Sequence, residues 1–145
     1  MALRQVLYGS SAVSPMYQAD IDVILSQARR RNAETGITGV LFYLDGNFLQ
    51  LLEGEDPALA ETYQRIKSDS RHQGLVQLLS GTITERAFVG QNMAYRGITA
   101  TELAENKELF VFLNGRWTLR DDAGVDLTLK ILIETFLRVN DGRGY

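Results

Sequence analysis

The stretch from Gly39 to Glu53 limits the fold more than any other part of the chain. Two apolar runs, Gly39 to Leu44 and Asn47 to Glu53, flank the dipeptide Asp45-Gly46. That dipeptide suits the positive dihedral angles of a tight turn, so the runs read as a β-hairpin that should sit mid-sheet. Upstream, Leu3 to Ser10 alternates Val6 and Tyr8 against Leu3, Gln5 and Leu7, the period of a strand largely covered on both faces. After Ser14-Pro15, the residues Ile21, Ile24, Leu25 and Ala28 recur at helical spacing, and the run closes with Arg29-Arg30-Arg31 before Gly36. Cations there fit a solvated last turn at the negative end of the helix dipole, with room for one of them to face a ligand. Pro57 opens a second helix with Leu59, Tyr63 and Ile66 as its core stripe, while Arg65, Asp69 and His72 follow at spacings of four and three on an adjacent polar stripe. Leu75 to Thr84 and Asn92 to Tyr95 read as two more strands around the loop Glu85-Arg86-Ala87-Phe88.

The resulting order, βαββαββ, predicts an α+β fold with a ferredoxin-like sheet and both helices on one face. Two further helices, Ala100 to Phe112 and Leu127 to Val139, form a pair expected on the other face. Residues 1–97 are thus the expected core and 98–145 a helical extension packed on the sheet. The last helix is apolar around much of its circumference (Leu127, Leu129, Ile131, Leu132, Phe136, Leu137), which requires deep packing or an oligomer contact. Such a fold does not by itself specify a function.

The composition removes several classes. With no cysteine and one histidine, the chain has no disulfide framework or thiolate metal site, and a His-rich metal site is not expected. No segment approaches the roughly 20 apolar residues of a membrane span, so a cytoplasmic protein is expected. A net charge of −3 offers no basic field for nucleic acid. No phosphate-cradling glycine loop, nucleophile elbow or paired metal-binding histidines point to an enzyme. Glu53, Glu55 and Asp56 cluster at a strand end, where acids are usually solvated.

One polar residue is out of place. Gln50 shares a strand face with Phe48 and Leu52 and is buried if they are. An unpaired buried amide costs about 1–3 kcal/mol, so a polar partner must meet it. Tyr8, on the first strand, is the candidate, since that strand pairs beside the third in this topology. The two form either a private core pair or a pair whose remaining donors and acceptors meet a heterocyclic ligand. Asn32 near the end of the first helix would supply an amide for such a ligand, and Arg65, Asp69 and His72 polar groups for a phosphate; each also has a plain surface reading.

These residues carry a resemblance to the BLUF family, blue-light sensors that use FAD. It runs from Leu7-Tyr8-Gly9-Ser10 through Asn32, the stretch GITGVLFYLDGNFLQLLEG (Gly36 to Gly54) and RIKSDSRH (Arg65 to His72) to Arg86, Phe88 and Met93, roughly the first two-thirds of the chain. The resemblance implies non-covalent FAD between the two helices, with Ile24 and Ile66 at the ring faces and Phe48 at its edge. Asn32 would bond the pyrimidine side, Arg65, Asp69 and His72 would lie toward the ribityl and phosphate part, and Gln50 would sit between Tyr8 and the ring. It further implies electron transfer from Tyr8 to the excited flavin, proton movement, and rearrangement of the Gln50 amide without a covalent adduct. The signal would leave through Met93 and its neighbours.

The chain departs from the family pattern in places. Gln91 stands where many members carry Trp, and the single tryptophan is Trp117. Gln91 is thereby placed in the signal relay, either competing for a bond with Gln50 or solvating the strand end. Arg31 replaces a common Asn and is expected to reach the flavin or a phosphate; Ala28 replaces a small hydroxyl residue. A chain of 145 residues is expected to be a short standalone member, signalling through its own homo-oligomer or a separate output protein. The alternative is a light-insensitive, flavin-free interaction module with the same fold.

Overall fold

A computed structural model describes residues 2–44 and 46–97. The elements are β1 (Leu3–Ala12), α1 (Gln18–Thr35), β2 (Thr38–Leu44), β3 (Asn47–Glu55), α2 (Ala58–Lys67), β4 (His72–Thr82) and β5 (Ala94–Gly97). They follow the expected βαββαββ order. The five strands form one sheet in the order β4-β1-β3-β2-β5, with β5 parallel to β2 and the other pairs antiparallel. Both hairpin strands are interior, as their apolar composition requires. The expected helices within 98–145 lie outside the described residues.

Register decides which side chains meet. Tyr8 lies opposite Gln50, and Gln50 opposite Leu41. On this face Val6, Tyr8, Leu41, Phe48 and Leu52 form one core with Ile21 and Leu25 of α1 and Leu59 and Tyr63 of α2. Both helices therefore cover the same face. The alternate residues Leu7, Leu49, Leu51, Val40 and Phe42 are buried as well, which is why β1, β2 and β3 read as nearly continuous apolar runs. A fully buried Leu contributes about 1.5–3 kcal/mol, so the sheet interior is where most of the fold's stability arises.

Several boundaries differ from the sequence reading. β1 runs two residues past Ser10, β4 starts at His72 and ends at Thr82, and β5 starts at Ala94. The arginine triplet is not the last turn of α1, which continues to Thr35 and closes on Gly36 in the left-handed conformation, φ 74°. Asp20 secures the other end of α1, its carboxylate accepting from the Tyr17 N–H at 2.9 Å. α2 stops at Lys67, so Asp69 and His72 do not continue a helical stripe with Arg65. The reason is local: the Ser68 hydroxyl donates to the Gln64 carbonyl at 3.2 Å, and Asp69 accepts the Arg71 N–H at 2.9 Å. Short polar side chains that bond the nearby backbone favour a turn over another helical turn.

Candidate functional site

A cleft opens between α1, α2 and the sheet face they cover. Ile24, Gln27, Ala28, Arg31 and Asn32 line it from α1, Thr62, Arg65 and Ile66 from α2, and Tyr8, Ser10, Leu41, Phe48, Gln50 and Leu52 from the strands. Asp69, Arg71 and His72 close one end. The structure thus brings together all the cofactor-contact candidates, even though Asp69 and His72 arrive on a turn and a strand. Gln91 is not among the lining residues; its side chain is exposed, and its backbone bonds Phe88 and Gly39.

A polar pair lies within the cleft. Tyr8 is 4% exposed and Gln50 6%, and the Tyr8 hydroxyl donates to Gln50 Oε1. The amide's other end donates to Met93 Sδ at 3.3 Å. Burial, with Tyr63 and Asp69 nearby, pushes the Tyr8 phenol far above its ordinary value, so the phenol keeps its proton and acts as donor. The Tyr63 ring stands 5.8 Å from that of Tyr8, centroid to centroid.

The rim is bonded to its surroundings. His72 Nε2 donates to the Ile66 carbonyl at 2.6 Å, satisfying an acceptor in the last turn of α2. In the neutral ring that leaves Nδ1 to accept from Ser10 Oγ at 2.8 Å. Asn32, 3% exposed, donates through Nδ2 to the Asn92 carbonyl at 2.6 Å. Arg71 pairs with Asp69 in a forked contact and reaches across to Gln27 Oε1 at 3.0 Å, joining the α2–β4 turn to α1.

Hydrogen bonds from the Arg71 side chain hold the Asp69 carboxyl below its ordinary value of 3.8, against a smaller opposing effect of burial. A lowered native value means that the pair stabilises the fold above that ordinary value and loses its contribution as pH falls through the native one. The acid limb of a urea-stability profile is therefore expected to be shallower in Asp69→Asn. The variant falls slightly below the parent at neutral pH and converges with it in acid, a small effect because both partners are partly exposed. An unchanged acid limb would show that the pair forms equally in the unfolded chain.

Sequence reasoning did not single out Ser10, Gln27, Leu41, Leu52, Thr62 or Arg71 as cleft residues. Helical spacing would have found Gln27, which shares a face with Ile24 and Arg31, and Thr62, which precedes Ile66 by one turn. The solvated reading of Glu53 is wrong. It is 1% exposed, and its carboxylate accepts bonds from Thr38, Ala87 and Phe88.

Aliphatic side chains on two helices, Ile24 and Ile66, the amides of Asn32 and Gln50, and Arg31, Arg65 and Arg71 in the lining fit a planar heteroaromatic group with an anionic tail. Thr62 Oγ1, buried and without a protein partner, supplies one further polar contact to the same cleft. Fold and site together define a domain with a cleft suited to a planar cofactor. The family model described as BLUF, sensors of blue-light using FAD, matches residues 3–94, and the chain belongs to that family. That family is one of blue-light flavin sensors.

Among related proteins, photoactivated adenylate cyclase subunit beta of Euglena longa is 41% identical over 86 residues, 59% of this chain and 10% of that protein. The blue light- and temperature-regulated antirepressor BluF of Escherichia coli is 37% identical over 68 residues, 47% of this chain and 17% of that one. The chain thus spans between about a tenth and a sixth of these relatives' length. The structure of BlsA in its photo-activated state aligns with a TM-score of 0.74 at 27% identity, over 90% of this chain and 94% of that one. The dark-state structure of the BLUF protein BlrB aligns at 0.71 and 29%, over 90% and 97%.

Proposed function

We propose that this chain holds FAD non-covalently in the cleft, converts blue light into a change in the Tyr8–Gln50–Met93 chain of hydrogen bonds, and passes it to a separate output protein or to its own oligomer. The observation that carries this reading is the buried Tyr8–Gln50 pair in register inside the cleft. Bound flavin supplies the blue absorption and an electron-accepting ring. The chain's own residues do the rest. Ile24 and Ile66 would hold the ring from the two helices, Phe48 its edge and Asn32 its pyrimidine side, while Arg31, Arg65, Asp69 and His72 would serve the ribityl and phosphate part.

Gln50 is suited to switching because its two ends have unequal partners. Its Oε1 accepts from a phenol, whereas its Nε2 has a thioether, a weak acceptor. Turning the amide over forfeits little on the sulfur side, and the Tyr8 oxygen also accepts. Two arrangements of similar energy are what a small perturbation needs in order to shift a population. Met93 and Gln91 lie on the route by which that shift would leave the cleft.

In this reading the chain turns over no substrate. Glu53, the buried member of the acidic cluster, is already occupied by three donors and is not free to act as a base. Its relatives named as cyclases are much longer proteins, which accords with a sensing role for the shared segment. The proposed setting is the cytoplasm; no helix among the described residues is long and apolar enough to cross a membrane.

The test is an absorption spectrum of the purified protein in darkness, after a blue pulse and during recovery, with the released cofactor identified by mass spectrometry. A yellow protein containing FAD and shifting reversibly to the red supports the reading. A bound flavin that never shifts would leave the cleft without a switch, and a colourless protein that FAD cannot reconstitute would establish the interaction module instead. FAD affinity is expected to fall roughly ten- to a hundredfold in Arg31→Ala and in Arg65→Ala, the effect of one charge-assisted bond. Equal affinity for riboflavin and FAD in the parent would show that neither cation meets a phosphate.

A further inference from the structure

The buried carboxylate of Glu53 lines no part of the cleft, yet it bears on where Met93 sits. It accepts from Thr38 Oγ1 at 3.0 Å, from the Ala87 N–H at 2.7 Å and from the Phe88 N–H at 3.1 Å. Arg86 closes the clasp, its Nη1 donating to Thr38 Oγ1 at 2.8 Å and to the Glu53 carbonyl at 3.2 Å. Charge-assisted bonds to an anion in a dry site are among the strongest polar contacts a fold can make.

What the clasp holds is the connection 83–93, which contains neither helix nor strand. Left untied, such a segment samples many conformations, and each residue it fixes costs about 1–2 kcal/mol of backbone entropy. Beyond the clasp the path is bonded step by step. The Gln91 N–H donates to the Phe88 carbonyl at 3.1 Å, and the Gly39 N–H to the Gln91 carbonyl at 3.1 Å. Asn92 Nδ2 donates to the Ile37 carbonyl at 3.1 Å, and Arg29 Nε to the Met93 carbonyl at 2.9 Å. Gln50 and Glu53 stand on opposite faces of β3. One strand therefore carries both the switching amide and the anchor of the segment that brings Met93 Sδ to that amide.

We propose that Glu53 is a positioning residue of the light switch: its carboxylate clamps the 86–88 backbone, places Met93 Sδ against the Gln50 amide, and so biases the two amide orientations. The second half of this statement rests on the photoreceptor reading above; the first half does not. Glu53→Gln keeps the side-chain shape but turns an amide donor toward donors, and Thr38→Val removes the hydroxyl arm. Thr38→Ser restores that arm.

The experiment follows the carbon-13 methyl resonance of Met93 in the full chain, assigned with Met93→Leu, together with amide hydrogen exchange and dark recovery. Glu53→Gln is expected to displace the resonance in darkness, to lower exchange protection over residues 87–91 about tenfold, and to speed recovery about tenfold. Thr38→Val should do the same to a smaller extent, and Thr38→Ser should match the parent. Leu59→Ala, in the same core cluster as Met93 but with no bond to the clasp, should lower the melting temperature and displace the resonance less than Glu53→Gln does. An unmoved resonance in Glu53→Gln, or an equal displacement in Leu59→Ala, overturns the clamp. A displaced resonance with unchanged recovery overturns its link to the switch. If Glu53→Gln does not fold, the Thr38 pair decides by the same criteria. A parent with no light response sinks the photoreceptor reading but leaves the dark-state resonance and exchange as the test of the clamp.

Discussion

Tyr8→Phe and Gln50→Ala are each expected to abolish the reversible red shift that the proposed function assigns to blue light, with the flavin still bound. Phe keeps the ring in its place on β1 but removes the proton donor to Gln50 Oε1. With that donor gone, nothing in the pair distinguishes the two ends of the amide. Ala at position 50 removes the amide itself, and with it the contact to Met93 Sδ. In both variants the rest of the cleft lining, from Ile24 to His72, is untouched. The expected loss is complete rather than graded, because the switch requires a donor and an invertible amide together. Flash absorption spectroscopy of the two variants beside the parent is the check; a full shift surviving in Tyr8→Phe would remove the pair from the mechanism. Stability should fall as well, by about 1–3 kcal/mol in Tyr8→Phe, since a buried acceptor is left unpaired.

Gly39→Ala is expected to cost more stability than Gly54→Ala, Gly81→Ala or Gly97→Ala in the same sheet. A Cβ built there would lie 2.0 Å from the Leu51 carbonyl oxygen, a backbone atom of the central strand β3. β2 is paired on both sides, with β3 and β5, so it has no free edge toward which to shift. Losses above about 4 kcal/mol belong to such overpacked sites, and insoluble expression is the expected outcome. Gly54→Ala provides the contrast. Its new methyl meets Ile37 Cδ1 at 2.5 Å, the end of a side chain that can rotate away, and the expected loss is about 1–3 kcal/mol. Urea unfolding in darkness measures both. A Gly39→Ala protein within about 1 kcal/mol of the parent would show that β2 and β3 are not as close as described.

The element order and the central pair were legible because both depend on short-range patterns. Alternation and helical spacing operate over a few residues, and in the sequence the Asp45-Gly46 dipeptide signals a hairpin. Once β1 is placed beside β3, the Tyr8–Gln50 contact follows, since a buried amide must find a partner. The family was legible through motifs in the same segment, and the family match over residues 3–94 bears it out.

Other features could be decided only by closure of the chain in space. Glu53 reads as one of several acids at a strand end until the backbone of Ala87 and Phe88, more than thirty positions later, arrives to bond it. Arg29 reads as a solvated cation until the Met93 carbonyl meets it from 64 residues away. Arg71, beside the selected Asp69 and His72, became a cleft residue only when the α2–β4 turn set it against Gln27 of α1. The physical reason is the same in each case. Secondary structure follows local preferences that a sequence displays, whereas the solvation of a charge depends on which distant donors the tertiary fold delivers to it, and no local pattern encodes that.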